Sequence, residues 1–190
     1  VYDGTKEYTV TYIQFTFQDN KTLEKVTWPS TVMMIPGSMF NGCSSLKAVK
    51  NTRNVTYIYG SAFKGCNNLI KLDLGSCEID YQAFYGCSKL QGIGESAKCT
   101  SVGDNAFYGC SSLEKIDLSM CTSVGSCAFS GCSKLQSVGN PRLTSIPYNA
   151  FSGCSSLEKI DLSMCTSVDS EAFHNCSKLQ NVNTSICTYI

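Results

Sequence analysis

The sequence predicts an α/β solenoid: a right-handed coil with a parallel β-sheet on its concave face and short helical or 3-10 returns on its convex face. Three observations carry that prediction. Phe40, Phe63, Phe84, Phe107, Phe129, Phe151 and Phe173 recur every 21–23 residues. The segment Cys110 to Val124, CSSLEKIDLSMCTSV, returns unchanged from Cys154 to Val168, 44 residues later. Each period also contains a short stretch in which apolar and polar residues alternate, the pattern of a half-buried strand.

Leu23, Leu46, Leu69, Leu90, Leu113, Leu135, Leu157 and Leu179 open successive units. Residues 1–22 are read as an N-terminal capping strand and degenerate repeat start, marked by Phe17. Residues 23–190 are read as seven complete units of 21–23 residues plus a truncated eighth. The unit from 113 to 134 contains L-x-x-I-x-L-x-x-C-x-x-V, the leucine-rich-repeat template.

Within it, Ile116 and Leu118 alternate with Lys115, Asp117 and Ser119, which predicts a strand with one buried face and one wet face. Val124, Ala128, Phe129, Cys132 and Leu135 then follow at spacings near three or four, which predicts the helical or 3-10 return. Glycine precedes the motif cysteine at 42, 65, 86, 109, 131 and 153, with Asn175 as the replacement, so this column requires a left-handed backbone. Tyr8 to Phe15 alternates without the repeat motif and is expected to cap the first coil, because a bare solenoid end exposes core.

Composition narrows the function. Fifteen basic against fifteen acidic side chains in 190 residues provide no cationic footprint for nucleic acid or anionic lipid. Hydrophobic residues at 43% suffice for a packed interior. No apolar run reaches the ~20 residues of a transmembrane helix. The chain opens at Val1 with no charged n-region, which is read as a processed secretory protein or an expressed fragment.

Thirteen cysteines invite a disulfide reading, but their columns argue against it. Cys43, Cys66, Cys87, Cys110, Cys132, Cys154 and Cys176 all stand three residues after the phenylalanine and are expected to form a buried thiol ladder. Cys77, Cys99, Cys121, Cys165 and Cys187 fill a second column, in which Asn54, Thr31 and Leu143 stand in other coils, with Asn54 expected to be buried. In-register coils do not supply the ~90° dihedral of a bridge. Cys127 shares its position with Ser61, Gln82, Asn105, Asn149 and Glu171 and is the thiol expected near solvent.

Catalytic and metal chemistry find little support. There is no C-x-x-C, and His174 is the single imidazole, with Cys176 beside it in the buried column. No nucleotide fingerprint is present, so neither enzyme activity nor a cofactor is expected. The strand face is more informative: Lys71 with Asp73, Lys115 with Asp117 and Lys159 with Asp161 form charged bands, expected as solvated ion pairs, separated by flat neutral coils such as Gly92 with Gly94. These six residues are the candidate binding face, with Trp28 and the pair Tyr85 and Tyr108 as candidate aromatic contacts.

AFYGCSSLEKIDLSMCTSVG and AFSGCSSLEKIDLSMCTSVD resemble the BspA-like leucine-rich repeats of bacterial and protist surface proteins, over roughly residues 17 to 190. That resemblance implies a secreted or surface-attached chain with a binding surface; some family members are adhesins for host matrix proteins such as fibronectin and fibrinogen. The chain departs from the commoner strand ending in proline, which only Thr27-Trp28-Pro29 preserves. The expected function is non-catalytic adhesion to an extracellular protein or glycan through the concave strand face, with further contact through an uncapped C-terminal end. The alternative is a structural spacer or display scaffold within a longer surface protein.

Overall fold

The structure, a computed structural model, describes residues 7–9, 16–95 and 97–183. Among the described residues twelve short strands follow in order: β1 (Glu7–Thr9), β2 (Lys25–Thr27), β3 (Met34–Ile35), β4 (Ala48–Lys50), β5 (Tyr57–Ile58), β6 (Cys77–Ile79), β7 (Cys99–Val102), β8 (Ser123–Val124), β9 (Ser145–Ile146), β10 (Lys159–Asp161), β11 (Ser167–Val168) and β12 (Asn181–Asn183). Every pairing is parallel, and the chain winds as a β-solenoid of about six turns.

Two ladders run along the coil. The first joins β1, β2 and β4, continues through single bridges at Lys71, Gly92, Lys115 and Ser137, and resumes as β10 with β12. Its pairing weakens where Gly92, Gly94 and Gly139 enter, as glycine weakens a strand. The second ladder, β3-β5-β6-β7-β8 and then β9 with β11, lies in the part of each unit expected to lead into the return. Ser123 with Val124, Ser145 with Ile146 and Ser167 with Val168 each give it one exposed serine and one inward aliphatic residue.

No helix, α or 3-10, occurs among the described residues, so the expected helical or 3-10 returns are replaced by turns. Alternate amides of the return bond to the next coil: Ser38 N–H to Gly60 O, Phe40 N–H to Ala62 O at 2.8 Å, and Gly42 N–H to Lys64 O at 2.7 Å. The intervening amides close turns three residues back, as Cys43 N–H does on Phe40 O and Leu46 N–H on Cys43 O. A backbone committed to its neighbour at every second amide cannot make the i to i−4 bonds of a helix. Two left-handed residues per return, such as Cys127 (φ 56) and Gly131 (φ 76), break helical geometry as well.

The core is a stack of repeated columns. Phe17, Phe40, Phe63, Phe84, Phe107, Phe129, Phe151 and Phe173 stack face to face with centroids 5.1–5.6 Å apart. Leu74, Leu118 and Leu162 close the first ladder, and Trp28 takes the equivalent place in the first coil. Trp28 is therefore core, edge-on to Phe40 at 6.0 Å with its indole N–H donated to Val32 O, and not the exposed contact expected. β1 extends the first ladder, with Tyr8 opposite Val26. Residues 1–6 and 10–15 of the expected cap, and residues 184–190 of the eighth unit expected from sequence, lie outside the described residues.

Candidate binding surface

The seven cysteines of the first column lie at the phenylalanine stack, and each thiol donates to the carbonyl of the phenylalanine one coil earlier. The pairs are Cys43 to Phe17, Cys66 to Phe40, Cys87 to Phe63, Cys110 to Phe84, Cys132 to Phe107, Cys154 to Phe129 and Cys176 to Phe151, at 2.9–3.2 Å. Burial raises all seven pKa values, to about 11 at Cys43 and Cys176 and further at Cys66, Cys87, Cys110, Cys132 and Cys154. A thiol that stays protonated is a poor nucleophile and a poor metal ligand, so this column is packing chemistry.

In the second column, Cys77, Cys99, Cys121 and Cys165 are buried, while Cys187 lies outside the described residues. Val32 and Val55 occupy the place assigned from sequence to Thr31 and Asn54: Val55 N–H closes on Thr52 O as Cys121 N–H closes on Leu118 O. Asn54 is exposed and donates its amide to Ser30 O, a correction of one position. No disulfide joins any two of the cysteines in the described residues.

Cys127 is half-buried in a left-handed turn. Its column, Ser38, Ser61, Gln82, Asn105, Cys127, Asn149 and Glu171, has φ between 51° and 59° throughout. Sequence reading missed this conformational column, for which Asn105 and Asn149 were the available signal. His174 is exposed and its Nδ1 meets Glu171 Oε2 at 2.8 Å, while the Cys176 thiol is turned to Phe151 O, so the two form no dyad. Among the described residues no His, Cys, Asp or Glu group clusters as a metal site.

The six charged residues of the strand face line up on the first ladder, in three coils separated by neutral ones. They do not form the ion pairs expected between lysine and aspartate of the same strand. Asp73 instead meets Arg53 Nη2 at 3.0 Å. Asp117 Oδ1 accepts Ser119 N–H at 2.8 Å, and Asp161 Oδ1 accepts Ser163 N–H at 2.9 Å, so these carboxylates shape the turn that ends the strand. Burial would raise the Asp117 carboxyl, but the Ser119 hydroxyl and amide and the Lys98 charge outweigh it and hold the group below its ordinary value.

Lys71, Lys115 and Lys159 are exposed, with their ammonium groups in no ion pair among the described residues. Around the central one the face is hollowed: Gly94, Glu95, Lys115, Ile116, Asp117, Ser137 and Gly139 line a depression of about 200 Å³. Two of its lining positions require glycine: Gly94 holds φ +127, where a Cβ would press on Leu74 main-chain atoms at 3.0 Å, and a Cβ at Gly139 would meet Asp117 Oδ1 at 2.9 Å.

Elsewhere on the surface, Tyr85 and Tyr108 stack at 4.9 Å and 6°, with Lys64 Nζ 5.1 Å from the Tyr85 ring.

Parallel ladders, stacked one-per-coil columns and a polar strand face define a leucine-rich-repeat solenoid. The chain belongs to the family described as BspA type leucine rich repeat region (6 copies), which it matches over residues 10–136 and 100–190. Proteins built from such repeats generally act as protein-interaction modules.

Among solved structures it is similar to a leucine-rich repeat protein from Bacteroides ovatus, with 26% identity over 84% of this chain and a TM-score of 0.71. It is also similar to the leucine rich repeat protein of T. pallidum, with 26% identity, a TM-score of 0.68, and 83% of this chain and 78% of that one covered. The chain spans 45% of the length of the Bacteroides protein. Among curated proteins no match is found. Among the described residues no helix is long and apolar enough to cross a membrane.

Proposed function

We propose that this chain is a non-catalytic module of a secreted or cell-surface protein, adhering to an extracellular protein or glycan through the strand face of the first ladder. One observation carries the reading: the hollow of about 200 Å³ around Lys115, lined by Glu95, Asp117, Gly94 and Gly139. A flat coil on either side leaves Lys115 reachable by a partner surface. Its unpaired ammonium loses no protein partner on binding, which favours a charge-assisted contact with an incoming carboxylate or hydroxyl. Lys71 and Lys159 repeat the same chemistry two coils away on either side, which suits an extended ligand.

The test is binding of the immobilised chain to fibronectin, fibrinogen and a glycan panel at low and physiological salt. Saturable binding that persists at physiological salt supports adhesion. Silence across the panel favours the spacer or display role instead.

A further inference from the structure

A second surface, on the other ladder, is built differently from the rest of that ladder. Its outward-facing position reads Met34, Tyr57 and Glu78 in the first coils, paired in register, and Ser101, Ser123, Ser145 and Ser167 in the later ones, with Tyr57 and Ser101 half-buried. The same structural position is therefore apolar or charged at one end and serine at the other. Tyr59 packs against Tyr57 with the rings tilted at 47° and their centroids 4.4 Å apart, and a Cβ at Gly60 would fall within the ring of Tyr81.

Met34 is 46% exposed, Tyr59 41% and Tyr81 54%. Single exposed aromatics are ordinary on protein surfaces. Three tyrosines and a methionine on three consecutive coils form a patch, and such patches mark interaction sites.

The patch has an acidic margin. Asp80 Oδ1 accepts Tyr81 N–H at 2.7 Å, and Asp104 Oδ1 accepts Ser126 N–H at 2.8 Å, which fixes both carboxylates in place. Slight burial, then the charges of Asp80 and Glu78, raise the Tyr57 phenol. No cation pairs with Glu78, Asp80 or Asp104 among the described residues. Residues 31–36, 55–61, 76–82 and 99–105 contain no lysine, arginine or histidine.

Tyrosine faces and unpaired carboxylates attract the same thing: a cation carried on an apolar stem. Anionic lipid and nucleic acid are repelled by the margin. We infer that the tyrosine and methionine surface of β3, β5 and β6, rimmed by Glu78, Asp80 and Asp104, docks an arginine- or lysine-bearing extended segment of a partner protein. This site is separate from the Lys115 hollow, whose charge and position differ, so either can fail without the other.

The probes are fluorescent octapeptides alternating arginine, glutamate or serine with valine, titrated with the full chain. The arginine peptide binds saturably and loses affinity as salt rises; the other two do not bind. Tyr59→Ser weakens it about ten-fold, as loss of a central contact does, and Glu78→Lys does so by setting like charge against the peptide, while Lys115→Glu does not weaken it. Glu78→Gln, close to isosteric, substitutes for any variant whose circular dichroism departs from that of the parent, with a several-fold loss expected. Equal binding by these variants, equal binding of the glutamate peptide, no saturable binding, or self-association of the chain through this patch in sedimentation would each overturn the assignment.

Discussion

The thiol of Cys110 donates a hydrogen bond to the main-chain oxygen of Phe84, 3.1 Å away and one coil earlier. That oxygen also accepts the amide of Cys87 at 3.0 Å, so both of its lone pairs are used. Cysteine here is therefore a donor as well as a filler, and the two roles separate by substitution. Cys110→Ala removes both and is expected to cost about 1–2 kcal/mol. Cys110→Ser retains a donor and is expected to cost less than the alanine variant. Urea titration at neutral pH measures the order; a serine variant less stable than alanine means that the site reads only size and polarity.

Phe107 sits mid-stack, 5.1 Å from Phe84 and 5.3 Å from Phe129. Phe107→Ala is expected to cost about 3–5 kcal/mol. In a solenoid each coil contacts its neighbours alone, so the loss should also split the thermal transition. Calorimetry checks both.

The thiol ladder sets a pH limit. Its folded pKa values are raised from 9.0, to about 11 at Cys43 and Cys176 and beyond that at Cys66, Cys87 and Cys132. Above the unfolded value the unfolded chain releases protons that the folded chain retains, so stability falls as pH rises. Stability against urea should be flat up to about pH 8 and decline steeply through the window from 9 to 11. A flat profile to pH 10.5 contradicts the assignment of these thiols as buried and protonated.

Cys127 adopts φ 56 where neighbouring coils place Asn105 and Asn149 at 55 and 54. Asparagine tolerates this conformation better than cysteine. Cys127→Asn is expected to stabilise the chain by roughly 0.5–1 kcal/mol, read from the urea midpoint. In the parent chain, timed alkylation with peptide mapping should label Cys127 before Cys66, Cys87, Cys110 or Cys132, since all four are fully buried.

The columns that pack were legible in the sequence, because Phe, Gly, Cys and Leu recur at fixed offsets and each has one physical job. The second ladder was not, because a two-residue strand such as Ser123 with Val124 presents a single apolar position and no alternation to read. Spacings near three and four in the return came from turns that close three residues back, the same interval a helix would give. Trp28 could have been placed by aligning Thr27-Trp28 with Asp117-Leu118; its size and aromatic character drew attention instead to the surface. Asn54 was displaced by one position because its coil carries an extra residue. The lysine and aspartate bands were visible as a pattern, but which carboxylate closes a turn and which ammonium stays free depends on backbone geometry that sequence does not encode locally.

The proposed adhesive role turns on Lys115 at the hollow between Gly94 and Gly139. The decisive measurement is equilibrium binding of the parent chain and Lys115→Glu, at physiological salt, to whichever extracellular ligand the panel identifies. At least a ten-fold loss of affinity with an unchanged dichroism spectrum is the predicted result, as for a central charged contact. Equal affinity of the two chains would contradict recognition through this face.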